Sequence, residues 1–197
     1  MECNALHGDG HGNYRIVIWG NTGAGKSTLA GRLAHILPQV KFIGMDELLW
    51  NDDWVMTPTD ELRAAIHEQT HSSTSFVTDG NYLKYKDTFY PRATDIVWLD
   101  FPWYVTLWRL LRRTFWRWWT QEQLFGTNCR ERLSETLFSR ESIIWWFIIK
   151  HRPLRREFGQ LLEANEHGVR DKLRGRFRST EDVEMWLQEV EKGAKST

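Results

Sequence analysis

An α/β fold on a parallel sheet is predicted for this 197-residue chain by three observations. Short apolar runs alternate with stretches of helical periodicity, the pattern of βαβ units. A glycine-rich segment, Gly20-Asn-Thr-Gly-Ala-Gly25-Lys26-Ser27, separates the first run from the first helical stretch. Later runs each deliver an aspartate at the carboxyl end: Asp46, Asp79 and Asp100. Parallel sheets bind ligands beyond the carboxyl ends of their strands, so all of these residues meet at one edge.

Arg15 to Trp19 reads as the first strand, ending in the glycine-rich turn. Lys26 to about Leu37 reads as a helix, stopped by Pro38, which cannot extend the hydrogen-bond ladder. Val40 to Gly44 is the second strand. Thr57-Pro58-Thr59-Asp60 predicts a helix start, with Thr57 as N-cap and Pro58 in the first helical position, running to about Thr70. Ser75 to Thr78 and Asp95 to Leu99 are the third and fourth strands.

Trp103 to Trp119 has helical periodicity, with Tyr104, Trp108, Leu111, Phe115 and Trp118 on one face. Arg109, Arg112, Arg113 and Arg117 take the opposite face. Gln121 to Arg130 is polar and reads as a loop, and Asn128-Cys-Arg-Glu131 resembles a capping box opening another helix. Pro153 predicts a break, followed by a helix from Leu154 to about Asn165 with Gly168 as terminator. Val169 to Phe177 is placed as the last strand, although it holds more charge than a strand covered on both faces usually carries. Ser179 to Val190 is a capped amphipathic helix.

The ends, 1–13 and 192–197, are expected to be loose tails around a single domain at 14–191. Met1 to Asn13 is polar and lacks the apolar core of a signal peptide, which predicts a cytoplasmic protein. Cys3 and Cys129 lack zinc-ligand spacing and suit a reducing compartment. The 26 basic residues equal the 26 acidic ones, which argues against a general nucleic-acid or membrane-surface role but leaves room for local basic patches. The longest apolar run, Ile143 to Ile149, is too short for a span of ~20 residues. Most of the 12 tryptophans follow Asp100, and core and helix–helix packing is their expected role. Oligomeric state is not legible.

Gly20 to Ser27 matches the Walker A pattern G-x-x-x-x-G-K-[ST]. Its glycines let successive N–H groups turn inward into an anion-binding nest, and the positive end of the next helix points at the same place. Lys26 would reach the β- and γ-phosphates of ATP, and the Ser27 hydroxyl would ligate Mg²⁺. The metal also needs a nearby carboxylate, for which Asp79 and Asp100 have equivalent settings. The arginine stripe fits a solvated face, a phosphate clamp, or a basic, Trp-rich surface for membranes or partners.

Gly20 to Thr28, Met45 to Trp50 with Trp54, Asp79-Gly-Asn-Tyr82, Leu99-Asp-Phe-Pro102 and Leu107 to Arg113 occur in that order. Over residues 14 to 165 the chain resembles the adenylate-kinase-related P-loop proteins, some of which are labelled "DNA topology modulation protein". The resemblance implies a three-layer P-loop NTPase fold, with a five-stranded parallel sheet and a helical lid at about 117–150. It implies a small-molecule kinase using ATP and Mg²⁺. Gly20, Asn21, Thr22, Gly23, Ala24, Gly25, Lys26, Ser27 and Thr28 would hold the nucleotide, and Ser27 with Asp79 the metal. Arg109 and Arg113, with Arg112 as a third candidate, would clamp phosphates, and Asp46 would face the acceptor.

Trp50, Trp54, Asn81, Tyr82 and Arg92 are candidates for the acceptor pocket, the tryptophans equally for core or lid packing. Arg92 is chosen because an arginine beside the fourth-strand entrance could pair with an anionic acceptor. Trp103 departs from the pattern, standing where relatives often have a basic residue. Two rival functions are an NTPase or NTP-binding regulator without an acceptor, and a nucleic-acid binder using Arg109 to Arg117 and Arg170 to Arg178, which the charge balance disfavours.

Overall fold

The computed structural model describes residues 6–131 and 143–195. Strands β1 (Arg15–Gly20), β2 (Lys41–Ile43), β3 (Phe76–Thr78), β4 (Asp95–Leu99) and β5 (Leu173–Phe177) form one sheet in the order β2-β3-β1-β4-β5. Every pairing is parallel. Helices α1 (Lys26–Ile36), α2 (Met45–Leu49), α3 (Thr59–His71) and α4 (Lys86–Phe89) lie between the first four strands. Next come α5 (Trp103–Thr120), α6 (Ile143–Ala164), α7 (Val169–Lys172) and α8 (Thr180–Lys195).

The three layers follow from the two-residue side-chain period of a strand. Ile16 and Ile18 of β1 point to one face, where they pack with Leu29 and Leu33 of α1 and Trp186 and Leu187 of α8. Val17 and Trp19 point to the other, against Leu62 and Ile66 of α3, Phe89 of α4 and Phe158 of α6. Trp19 stacks on Phe158 at 4.7 Å between centroids and 7° between planes. Such a pair contributes about 0.5–1.5 kcal/mol beyond its buried area. The predicted fold class is the observed one.

Several sequence expectations need correction. Helix α3 begins at Thr59, not after a Thr57 cap. The Thr57 hydroxyl instead donates to the Leu48 carbonyl at 2.8 Å and accepts from Asn51 at 3.0 Å, closing the end of α2. Pro153 does not break the chain but sits inside α6. Proline costs that helix the bond to the Ile149 carbonyl, and burial of Leu154, Phe158 and Leu161 against the sheet outweighs it. The helix ends at Asn165, in the left-handed region at φ 48°, and Gly168 instead precedes α7. Residues Val169–Lys172, expected as strand, form that helical turn.

The charges of β5 are answered by partners. Arg174 donates to Asp95 at 2.6 Å, and Arg176 lies 4.0 Å over the Trp98 ring. The strand is also a sheet edge, where full apolar cover is not required. Nor are residues 6–13 a loose tail: the His7 and Gly8 amides donate to Asp95, and Asp9 pairs with Arg15 at 3.2 Å. Helix α8 likewise continues to Lys195, beyond the expected Lys192 limit. The helix expected after Asn128, and with it the middle of the expected lid, falls within 132–142, outside the described residues.

The tryptophans divide. Trp19, Trp98 and Trp186 are core residues, but Trp103, Trp108, Trp116 and Trp119 of α5 are exposed. Packing therefore does not account for the aromatic face of that helix.

Candidate phosphate-binding site

The loop after β1 is fixed from three sides. At its entrance the Asn81 side chain accepts from the Gly20 amide at 3.1 Å and donates to the Gly20 carbonyl at 2.7 Å. Each polar atom of that amide makes one bond to the loop, so Asn81 braces Gly20 and keeps one N–H and one lone pair for the acceptor contact expected from sequence. In the middle, Gly23 adopts φ 80°, and a Cβ there would sit 2.4 Å from the Thr106 carbonyl oxygen of α5. At the exit, Gly25 has φ 91° and opens α1 with no side-chain cap and no acidic residue in the first turn. The first N–H groups of a helix have no partners within it, so this end suits an anion. Ser27 and Thr28 are exposed there.

Gly23→Ala is expected to destabilise the fold by about 1–3 kcal/mol, through combined left-handed strain and overlap with α5. Thermal melting together with nucleotide titration checks this, and a variant with unchanged melting and affinity contradicts it.

Four charged side chains converge on the loop. The Lys26 ammonium donates to the Asn21 carbonyl at 3.1 Å. Burial holds its pKa below the ordinary lysine value, with Asp79 and Asp46 opposing and Arg113 reinforcing the shift. Arg113 is also pushed down, by burial first and then by Arg117, while Glu131 and Asp46 oppose. Its Nε is buried with no hydrogen-bond partner. A buried guanidinium donor left unpaired costs of order 1–3 kcal/mol or more, so the site favours an incoming anion. Asp79 is buried, with one oxygen accepting from the Met45 amide at 3.2 Å. Asp46 is exposed and accepts from the Tyr82 hydroxyl at 2.7 Å. Burial and then Asp46 itself push the Tyr82 pKa up, so that hydroxyl keeps its proton.

Other expected residues are placed elsewhere. The Arg109 guanidinium lies 4.8 Å over the Phe101 ring and donates to Thr180 at 2.7 Å. Arg112 is exposed on the outer side of α5. Arg92 precedes β4 and donates to the Thr70 carbonyl at the end of α3. It is at the amino ends of the strands, the wrong end of the sheet for an acceptor. Trp50 and Trp54 meet edge to face at 5.3 Å, and Trp54 reaches Phe125 at 6.2 Å. They occupy a loop tied to residues 128 and 129 by the Asp53 and Trp54 amides.

Asp100 is the centre of a separate cluster. It accepts from Arg155 at 2.9 Å and from Arg176 at 2.8 Å, with Arg178 at 3.7 Å. His151 faces Asn21 at 2.8 Å, its pKa lowered by burial and then by Arg155. A small cavity lies between Asn21, Asp100, Thr106, His151, Arg155 and Phe158. His151 and Arg155 were missed in the sequence, although their i, i+4 spacing puts two basic groups on one face of α6.

No protein-family model matches the sequence, and no curated protein matches it. Solved structures do. A gluconokinase from Sinorhizobium meliloti 1021 aligns at 25% identity and TM-score 0.41, over 52% of this chain and 66% of that one, just under two thirds of its length. Shikimate kinase from Acinetobacter baumannii, solved with shikimate, aligns at 19% identity and TM-score 0.46, over 74% and 79%. Shikimate kinase from Bacteroides thetaiotaomicron aligns at 18% identity and TM-score 0.49, over 92% and 98%. These are likenesses of general architecture. The chemistry rests on the side chains above.

Proposed function

We propose that the chain transfers the γ-phosphoryl group of ATP to a small acceptor carrying a hydroxyl or phosphate group. One observation carries this reading: the glycine turn between β1 and α1, with Gly23 and Gly25 in the left-handed region, folds around the Lys26 ammonium, which donates to the Asn21 carbonyl at 3.1 Å. The donor set fits a polyphosphate. The loop offers an uncapped helix start, an ammonium bonded to a main-chain carbonyl, and a buried guanidinium nitrogen awaiting an acceptor.

The Ser27 hydroxyl and the Asp79 carboxylate would hold Mg²⁺, both being hard oxygen ligands. When bound, the ion neutralises charge on the β- and γ-phosphate oxygens. Asp79 suits this role better than Asp100, whose Oδ2 is already shared by two guanidinium groups. Lys26 and Arg113 would hold the transferring group by charge and hydrogen bonds that strengthen in the transition state. Asp46 would orient the acceptor and take its hydroxyl proton, its own position set by Tyr82. Positioning and charge stabilisation suffice, so no covalent nucleophile is needed.

The test is ADP release measured against a panel of hydroxyl and phosphate metabolites, with a phosphorylated product expected for one class. ADP release that no metabolite stimulates, with only inorganic phosphate as product, would establish the NTPase reading instead. Asp79→Asn is expected to weaken Mg²⁺-dependent turnover about 10–100-fold, and Asp100→Asn less. The opposite ranking in a Mg²⁺ titration would overturn the metal assignment.

A further inference from the structure

Helix α5 is amphipathic in an unusual sense. Its polar-looking side, with Thr106, Leu110 and Thr114 buried, faces the protein, and its aromatic side faces out. Tyr104, Trp108, Leu111, Phe115 and Trp119 follow one another by steps of three and four along the exposed face, with Trp116 beside them. Trp108 is 67% and Trp119 69% exposed. From Tyr104 to Trp119 this stripe runs about 22 Å at 1.5 Å per residue. A contiguous exposed patch of that length marks an interaction surface.

Charge indicates what the surface meets. The chain as a whole is neutral, yet α5 holds four arginines and no acid, and α6 holds Lys150, His151, Arg152, Arg155 and Arg156 before its first acid, Glu157. Arg112, Lys150 and Arg152 are exposed. Exposed Ile148 and Ile149 lie on α6, which packs beside α5.

We propose that this face docks on an anionic lipid bilayer, with the aromatic rings at headgroup depth and Arg112 and Arg152 on lipid phosphates. Tryptophan and tyrosine prefer the boundary between headgroup and hydrocarbon, and basic side chains on the same helix add attraction to anionic lipid. No described helix is long and apolar enough to cross a membrane, so the contact is peripheral. The inner side of α5 stays in the protein, and docking requires no unfolding. A second copy of the chain fits worse, since face-to-face stacking would oppose arginines with no acid on α5 to answer them. Single-stranded nucleic acid would use the rings but has no use for exposed Leu111, Ile148 and Ile149.

The experiment is sedimentation of the full chain with phosphatidylcholine vesicles, with and without phosphatidylglycerol. Binding is expected only with the anionic lipid, with a blue shift of tryptophan emission and quenching by chain-brominated phosphatidylglycerol. It should collapse at 1 M salt, where screening shortens to about 3 Å. Arg112→Ala should weaken binding about fivefold, and the double substitution Trp108→Ala/Trp119→Ala at least about tenfold. ATP-dependent thermal stabilisation of that double variant should be unchanged.

Four results would overturn the proposal. They are absence of sedimentation with anionic vesicles, equal binding by the double variant, a dimer in sedimentation velocity that the double variant abolishes, and oligonucleotide binding without vesicle binding. Brominated-lipid quenching is read on the unmodified chain, so it decides the matter even if the double variant fails to fold.

Discussion

Lys26→Ala is expected to lower ATP-dependent turnover by about 10²–10³-fold, the usual cost of removing one donor aimed at transition-state charge. The fold should survive. Burial already disfavours the charged ammonium, so removing it relieves a desolvation cost in the empty protein. Melting without nucleotide should therefore stay level or rise. What should disappear is stabilisation by ATP-Mg, worth about 2.7 kcal/mol at a hundredfold excess over Kd. Paired melting curves with and without nucleotide separate the two effects. Turnover within a factor of two of the unmodified chain would end the phosphoryl-transfer reading.

The largest stability effect is expected at Asp95, far from the chemistry. Its side chain is fully buried and accepts from Arg174 at 2.6 Å, Thr94 at 2.7 Å, and the His7 and Gly8 amides at 2.9 and 3.1 Å. Asp95→Ala strands the buried Arg174 guanidinium and two main-chain donors. The expected loss is about 3–5 kcal/mol, a large share of the 5–15 kcal/mol typical of a domain. Urea unfolding measures it. If the stranded charge is the main cause, Arg174→Leu in the same chain should recover part of the loss. A cost under about 1 kcal/mol for Asp95→Ala would show that the cluster is solvated.

These two sites also show what a sequence can and cannot reveal. The glycine loop is a local device: strand, turn and helix start are contiguous, so its meaning lies within Gly20 to Ser27. Strands β1, β3 and β4 were legible because burial on both faces turns them into apolar runs. Strand β5 was placed, four residues too early at its start, but its charges were not explicable, because Arg174 and Arg176 are neutralised by Asp95 and Asp100, 79 and 76 residues away. Arg92 was misplaced because linear proximity to a strand does not say which end faces the ligand. Pro153 misled because local propensity lost to the burial of Leu154 and Phe158. The aromatic residues of α5 do share a face, but that face is outward and not packed in the core, and Arg112, expected opposite them, is exposed beside Trp108. A pattern tells which residues share a face, not which face is inward when both are suited to contact.

Gly23 leaves no free space between the phosphate loop and the Thr106 carbonyl. Since close-packed interiors transmit strain, α5 cannot shift toward the loop without moving the groups that would grip the nucleotide. One side of the helix lies in solvent and the other against the loop proposed to hold ATP. Whatever presses on its outer surface therefore has a mechanical route to that proposed site.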